Sequence, residues 1–332
     1  MPNATNIALI GCGQMGSRHL QALARLERSL RIQVVEPSPA ARETGKMRLA
    51  EAISALEKKP EIEVQWPDQL SGLDGSPDLT IIATAAPERA QILDFLLKAG
   101  HKRFLIEKMV CQSARDYRRL LEAFSANKAK GWLNLTRRYF PFYRRLFGLL
   151  PAETPLVYHV MAGNLGLGCN AIHFLDLFAG FSGETKEIRL KGDHLSPRIL
   201  QNRRGTDLVE FSGTILAETP KGDLASITFS PVHEAGVSAT LTTKDLRVFI
   251  DEERHKAWIA SAATDWIWEE SPFQELYTSR LTTDIARSIL EQDSCDLPTL
   301  EAAYPLHREL FRIFNRHIRR VTGRTCGVCP IT

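Results

Sequence analysis

The sequence predicts a doubly wound α/β domain of the Rossmann type followed by an α+β domain with a large, mostly antiparallel sheet. Three observations carry this. Strand-like and helix-like segments alternate over the first 140 or so residues. Hairpin-like strand pairs dominate from about 185 to 260. The length of 332 residues suits two domains better than one. The domains are expected at 1–150 and 151–332.

The first unit reads strand, glycine turn, helix. Asn6-Ile7-Ala8-Leu9-Ile10 is a short apolar run, and Leu20, Leu23, Leu26 and Leu30 follow on a helical period. Between them lies Gly11-Cys12-Gly13-Gln14-Met15-Gly16. Each glycine has a distinct use when this turn seats a dinucleotide. Gly11 permits the tight turn, Gly13 lets a pyrophosphate approach the backbone, and Gly16 lets the helix pack on the strand. The N–H groups at the helix start then face the phosphates, so Cys12, Gln14 and Met15 are cofactor-binding candidates with the glycines.

A second strand, Ile32-Gln33-Val34-Val35, ends in Glu36, 20 residues after Gly16. An acidic side chain there accepts from the adenosine ribose hydroxyls and repels a 2′-phosphate, which favours NAD over NADP. The bland alternative is a solvated strand-end carboxylate.

The rhythm continues with a helix over 40–58, a strand over 61–64, a strong strand over 78–84 and a helix over 87–99 opening on Pro87. A strand over 103–107, a helix over 114–127 and a sixth strand over 132–136 follow. Such sheets bind ligands at the carboxyl ends of their strands. That puts Thr84, Ala85, Glu107, Lys108 and Arg138 among the site candidates. An ammonium at Lys108 can hydrogen-bond a substrate oxygen and stabilise an alkoxide. The alternative is a surface lysine paired with Glu107.

Beyond 150, a strand over 155–162 and a glycine-rich loop lead into a helix from about Asn170 to Phe181. His173 and Asp176 share one face of it. An imidazole there can accept a hydroxyl proton, or it can simply hydrogen-bond Asp176 inside the core. Strand-like segments at 185–191, 207–217, 223–230, 237–243, 245–250 and 255–260, with turn signals at Lys221-Gly222-Asp223 and Thr243-Lys244-Asp245, argue for antiparallel pairing. Helices over 272–291 and 299–321 close the chain.

Composition narrows the function classes. The 42 basic and 39 acidic side chains nearly cancel, so the net charge of +3 makes no case for nucleic acid or a membrane surface. Residues 1–10 lack the pattern of a signal peptide, and a cytoplasmic enzyme is expected. The six cysteines do not suggest a disulfide framework. Cys326 and Cys329 form a C-x-x-C without the second ligand pair that zinc requires, and no metal is expected. The pairs Arg137-Arg138, Arg144-Arg145 and Arg203-Arg204 suit an anionic substrate if they face the cleft, and surface solubility otherwise.

Taken together, Gly11 through His19, Ile81-Ile82-Ala83-Thr84, Ile106-Glu107-Lys108, Arg137-Arg138-Tyr139 and Asn170 through Asp176 resemble the glucose–fructose oxidoreductase / inositol dehydrogenase / rhizopine catabolism (Gfo/Idh/MocA) family of NAD(P)-dependent oxidoreductases. The resemblance covers roughly residues 5–180. It implies hydride transfer between NAD and a hydroxyl or keto carbon of a sugar, sugar acid or nucleotide sugar. It implies Lys108 and His173 as catalytic residues; Asn170 beside the histidine can orient a substrate hydroxyl, and Arg138 is a substrate-binding candidate from the basic cluster. It also implies a homodimer or homotetramer formed through the second-domain sheet. Two departures stand out. Met109 takes the place of the proline that usually follows the Glu-Lys pair. Cys169 takes the place of an aspartate found in many members four residues ahead of the histidine. The Asn170-x-x-His173 spacing and Cys329-Pro330-Ile331-Thr332 resemble members that act on surface-polysaccharide sugars. The departure at Cys169 keeps a second reading open, a dinucleotide-binding regulatory or scaffold protein without catalysis. A third is a reductase of a non-sugar carbonyl or imine.

Overall fold

The computed structural model describes residues 4–151, 153–202, 205 and 207–332. The chain divides into two compact units. The first comprises the residues up to Cys111, Arg115–Thr136 and Leu276–Leu300; the second comprises Gln112–Ala114, Arg137–Glu275 and Glu301–Thr332.

The first unit runs β1 (Thr5–Ile10), α1 (Gln14–Leu23), β2 (Leu30–Val35), α2 (Pro39–Ser54), β3 (Ile62–Gln65), β4 (Leu79–Ile82), α3 (Ala86–Lys98), β5 (Arg103–Ile106), α4 (Ala114–Ala126) and β6 (Lys130–Leu133). The sheet order is β3-β2-β1-β4-β5-β6. Every pair in it is parallel. Its strands are apolar on both faces: Leu79, Thr80, Ile81 and Ile82 are all buried. That is the signature of a sheet covered by helices above and below. The order reverses between β1 and β4, so the turns after these strands flank the crevice where such sheets hold ligands.

Several expected elements are displaced: the helix expected from 272 begins at Thr278, the strand expected over 185–191 lies at Arg189–Leu195, and the strand expected over 207–217 is split into Val209–Glu210 and Gly213–Glu218. The helix expected to run to 58 stops at Ser54. The sixth strand covers 130–133 instead of 132–136, and Thr136–Tyr139 closes as a 3-10 turn.

The second unit contains α5 (Pro141–Leu149), β7 (Val157–Ala162), α6 (Leu167–Ser182), β8 (Arg189–Leu195), β9 (Leu200–Gln201), β10 (Val209–Glu210), β11 (Gly213–Glu218), β12 (Leu224–Phe229), β13 (Ser238–Thr242), β14 (Leu246–Asp251), β15 (Lys256–Ser261) and β16 (Glu269–Pro272). Helix α7 (Thr278–Gln292) returns to the first unit, and α8 (Leu300–Thr322) completes the second. The large sheet has the order β16-β15-β14-β13-β7-β12-β11-β8. Among the described residues of this sheet, only the β7–β12 pair is parallel. Alternation decides its faces. Val160, Ile227, Ala239 and Ile250 are buried on one side. Their neighbours along the strands, among them His159, Ser226 and Phe249, point to the other. The short strands β9, β10 and β16 carry too few residues to show a period of two in the sequence. Among the described residues, no helix is long and apolar enough to cross a membrane.

Candidate active site

The glycine turn is built as its residues require. Gly11 has φ +87°, and a Cβ there would lie 3.0 Å from the Ala83 carbonyl carbon and the Thr84 nitrogen. Gly16 faces inward, where a Cβ would run into the Gly11 carbonyl. Gly13 is different, because a Cβ on it would meet nothing within 4 Å. Space is therefore kept open above Gly13, at the start of α1. That helix has Gly13 as its N-cap, no side-chain cap and no acidic residue in its first turn. Its leading N–H groups, which need partners from outside the helix, are thus left to an anion. Gln14 and Gly13 are exposed and Met15 half-buried. Arg48 of α2 donates to Gln14 Oε1 at 3.1 Å.

Glu36 stands just past β2 and is 7 % exposed. Its carboxylate accepts from the Cys12 N–H at 2.7 Å and from the Ser38 N–H at 2.8 Å. It therefore braces the glycine turn as well as ending the strand, so it is not a merely solvated carboxylate. Burial, reinforced by Glu36, pushes the Cys12 thiol up to about 12, against the pull of Arg48. Cys12 is accordingly a packed, un-ionised side chain.

Glu107 and Lys108 follow β5. Lys108 is 8 % exposed, which overturns the surface-lysine alternative. The Lys108–Met109 peptide bond is cis. Glu107 Oε1 accepts from Asn134 Nδ2 at 2.6 Å and lies 3.1 Å from His19 Nε2. His19 Nδ1 in turn lies 2.7 Å from Thr282 Oγ1 of α7. Burial alone would raise the Glu107 carboxyl; His19, then Asn134 and Lys108, overcome it and hold the group down at about 2. The fully buried Arg89 of α3 donates to the backbone carbonyls of Thr84, Glu107 and Met109. One guanidinium thus ties the turn after β4, where Thr84 is half-buried and Ala85 exposed, to the turn that carries Lys108. Sequence reasoning did not single out Arg89, Asn134 or Thr282.

In the second unit, α6 begins at Leu167, three residues earlier than expected. His173 is half-buried on it. Arg138 donates to both Asp176 oxygens, at 2.6 and 2.7 Å. Burial pushes the Asp176 carboxyl up, and Arg138 opposes that shift. The guanidinium expected at the substrate is thus engaged by Asp176. Asn170 Nδ2 donates to the Leu165 carbonyl at 2.6 Å, closing the glycine loop. Arg137 pairs with Glu252 at 2.7 Å. Arg144 lies over the Tyr139 ring, and Arg145 donates to Ser271 Oγ. Arg203 and Arg204 lie outside the described residues. Cys326 and Cys329 are free thiols, and burial pushes the Cys329 thiol up. No group of three or more metal-ligating side chains occurs among the described residues.

Comparison with known proteins agrees with this geometry. Residues 5–134 match the family model described as "Oxidoreductase family, NAD-binding Rossmann fold" (GFO_IDH_MocA). No curated protein matches the chain. Solved structures match along almost its full length. A levoglucosan dehydrogenase in complex with NADH and levoglucosan is 14 % identical, with a TM-score of 0.71, covering 96 % of this chain and 98 % of its own. A UDP-N-acetylglucosamine 3-dehydrogenase from Acidithiobacillus ferrooxidans is 15 % identical, with a TM-score of 0.67, covering 93 % and 96 %. An oxidoreductase from Agrobacterium radiobacter in complex with NAD+, L-tartaric acid and magnesium is 12 % identical, with a TM-score of 0.72, covering 97 % and 98 %. At these identities the likeness is one of fold.

Proposed function

We propose that the chain, whose residues 5–134 match the model of the Gfo/Idh/MocA oxidoreductase family with its NAD-binding Rossmann fold, transfers a hydride between NAD and a hydroxyl or keto carbon of a sugar or sugar derivative. The observation that carries the reading is the uncapped start of α1 beneath the open space at Gly13. The residues present fit a dinucleotide: N–H groups for the pyrophosphate and a carboxylate, Glu36, for the adenosine ribose. When bound, the nicotinamide supplies or accepts the hydride. The chain's own residues do the rest. Lys108 donates a hydrogen bond to the reacting oxygen and favours its alkoxide. His173 takes up the hydroxyl proton in oxidation and returns it in reduction.

The engagement of Arg138 by Asp176 leaves that side chain little to offer an anionic group. We therefore favour a substrate recognised through hydroxyls. Levoglucosan, the uncharged sugar of one similarly folded dehydrogenase, heads the panel to be tried, with UDP-N-acetylglucosamine as the anionic comparison. Turnover followed at the NADH absorbance band should fall about 10²- to 10⁴-fold in Lys108→Ala, with dinucleotide affinity retained. Unchanged turnover would refute the role.

The same proposal includes a homo-oligomer. The uncovered sheet face carries Met161 at 61 % exposure, Leu224 at 50 %, and Phe249 at 38 % stacked on Trp258. Exposed apolar side chains on one sheet face, here interspersed with the polar His159, Ser226 and Thr240, suit a second copy of the chain. Sedimentation should give a dimer or tetramer, and Phe249→Lys should shift it toward the monomer.

A further inference from the structure

Helix α6 starts without a capping side chain of its own. Its N-cap is Gly166, at φ +80°. The first N–H groups of a helix must find partners elsewhere. Here the Leu167 N–H donates to the Phe211 carbonyl at 2.8 Å, and the Asn170 N–H to the Gly166 carbonyl at 3.2 Å. The two between them, at the positions that a cap normally serves, both donate to one carboxylate on β10. The Gly168 N–H reaches Glu210 Oε1, and the Cys169 N–H reaches Oε2 at 3.1 Å. The Phe211 N–H adds a third bond to Oε1 at 2.9 Å.

Glu210 is 8 % exposed, and the loop is shaped around it. A Cβ on Gly166 would collide with its carboxyl carbon, and one on Gly168 would lie 2.6 Å from Oε1. Asn202 Nδ2 donates to Cys169 Sγ at 3.3 Å, and the Cys169 thiol donates to Glu210. The C-terminal segment braces the arrangement. Pro330 accepts from the Val209 N–H at 2.7 Å, and Ile331 packs beside Gly168. Burial pushes the Glu210 carboxyl up, while these N–H groups pull it back.

We propose that Glu210 is a positioning residue that fixes the first turn of α6 and, through it, the orientation of the His173 imidazole. Cys169 and His173 are four apart, so they are stacked neighbours on one helical face. A shift of the turn held by Glu210 passes directly to the turn that bears His173. The proposal rests on the reading of His173 as the proton-transfer residue. Position 169, where the resemblance leads one to expect a carboxylate, is thus served by a carboxylate from another strand.

The test uses the full chain with 15N-labelled histidine, and His173→Gln assigns the His173 ring signals. Glu210→Gln keeps the shape and removes the charge. Gly168→Ala keeps the charge and drives a methyl group against the carboxylate. Both variants should move the His173 ring resonances. Both should lower kcat about tenfold or more on the best substrate of the panel, with the KM for NAD within about twofold. Glu210→Gln added to His173→Gln should cost no further turnover, because the two act through one group. Unmoved His173 resonances in both variants, or fully additive losses, overturn the proposal. Normal turnover in His173→Gln instead overturns the proton-transfer reading, and the ring signals still decide the part played by Glu210.

Discussion

His19 Nε2 lies 3.1 Å from Glu107 Oε1, in a site where the imidazole is wholly buried and the glutamate 7 % exposed. Glu107 is held near 2 because His19 and Asn134 outweigh the effect of its burial. Its folded value lies below its ordinary one of 4.5, so it contributes stability above pH 4.5 that is lost as the pH falls toward 2. The size is about 3 kcal/mol by linkage. Urea midpoints measured from pH 7 down to pH 3 should fall for the wild type and fall less steeply for Glu107→Gln. Parallel slopes would contradict the assignment.

Glu252 is the corresponding buried carboxylate of the second unit. It accepts from Arg137 and from Tyr143 Oη, each at 2.7 Å, and is 6 % exposed. Arg137 also lies over the Phe174 ring at 4.4 Å. Removing one partner of such a pair strands the other charge in the interior. Glu252→Ala should therefore cost about 3–5 kcal/mol in denaturant unfolding, and Glu252→Gln less. A loss below about 1 kcal/mol would show that solvent relaxes into the site.

Glu36 bears on the choice of dinucleotide. Glu36→Ala removes the acceptor for the Cys12 and Ser38 N–H groups and the charge that opposes a 2′-phosphate. NAD affinity should fall about tenfold, or 1.4 kcal/mol, and the preference over NADP should narrow or invert. Calorimetric titration with both dinucleotides measures this. An unchanged ratio would remove Glu36 from the specificity argument.

The parts of the molecule that were legible in the sequence are those set by neighbours along the chain. The glycine turn, the buried strands and the proline-started α3 are local patterns, and each formed within a few residues of expectation. The supports of the site are not local. Glu107 meets His19 across 88 residues, His19 meets Thr282 across 263, and Gly168 meets Glu210 across 42. No period or spacing marks such pairs, because tertiary packing makes them. The early start of α6 has the same cause: its cap comes from β10. Arg138 was legible as a cation and not as the partner of Asp176, since the 38 residues between them hide the pairing.

The dinucleotide seat is tested most directly by titrating NADH into the wild type and Gly13→Asp. Position 13 is the N-cap of α1, where aspartate is a good capping residue and its Cβ meets nothing within 4 Å. The variant should therefore fold with an equal or higher Tm. The wild type should bind one NADH per chain, saturating below about 1 mM. Gly13→Asp should bind at least about 100-fold more weakly, its carboxylate standing where the pyrophosphate belongs. Equal affinity in the two proteins, or no binding by the wild type, would contradict the account.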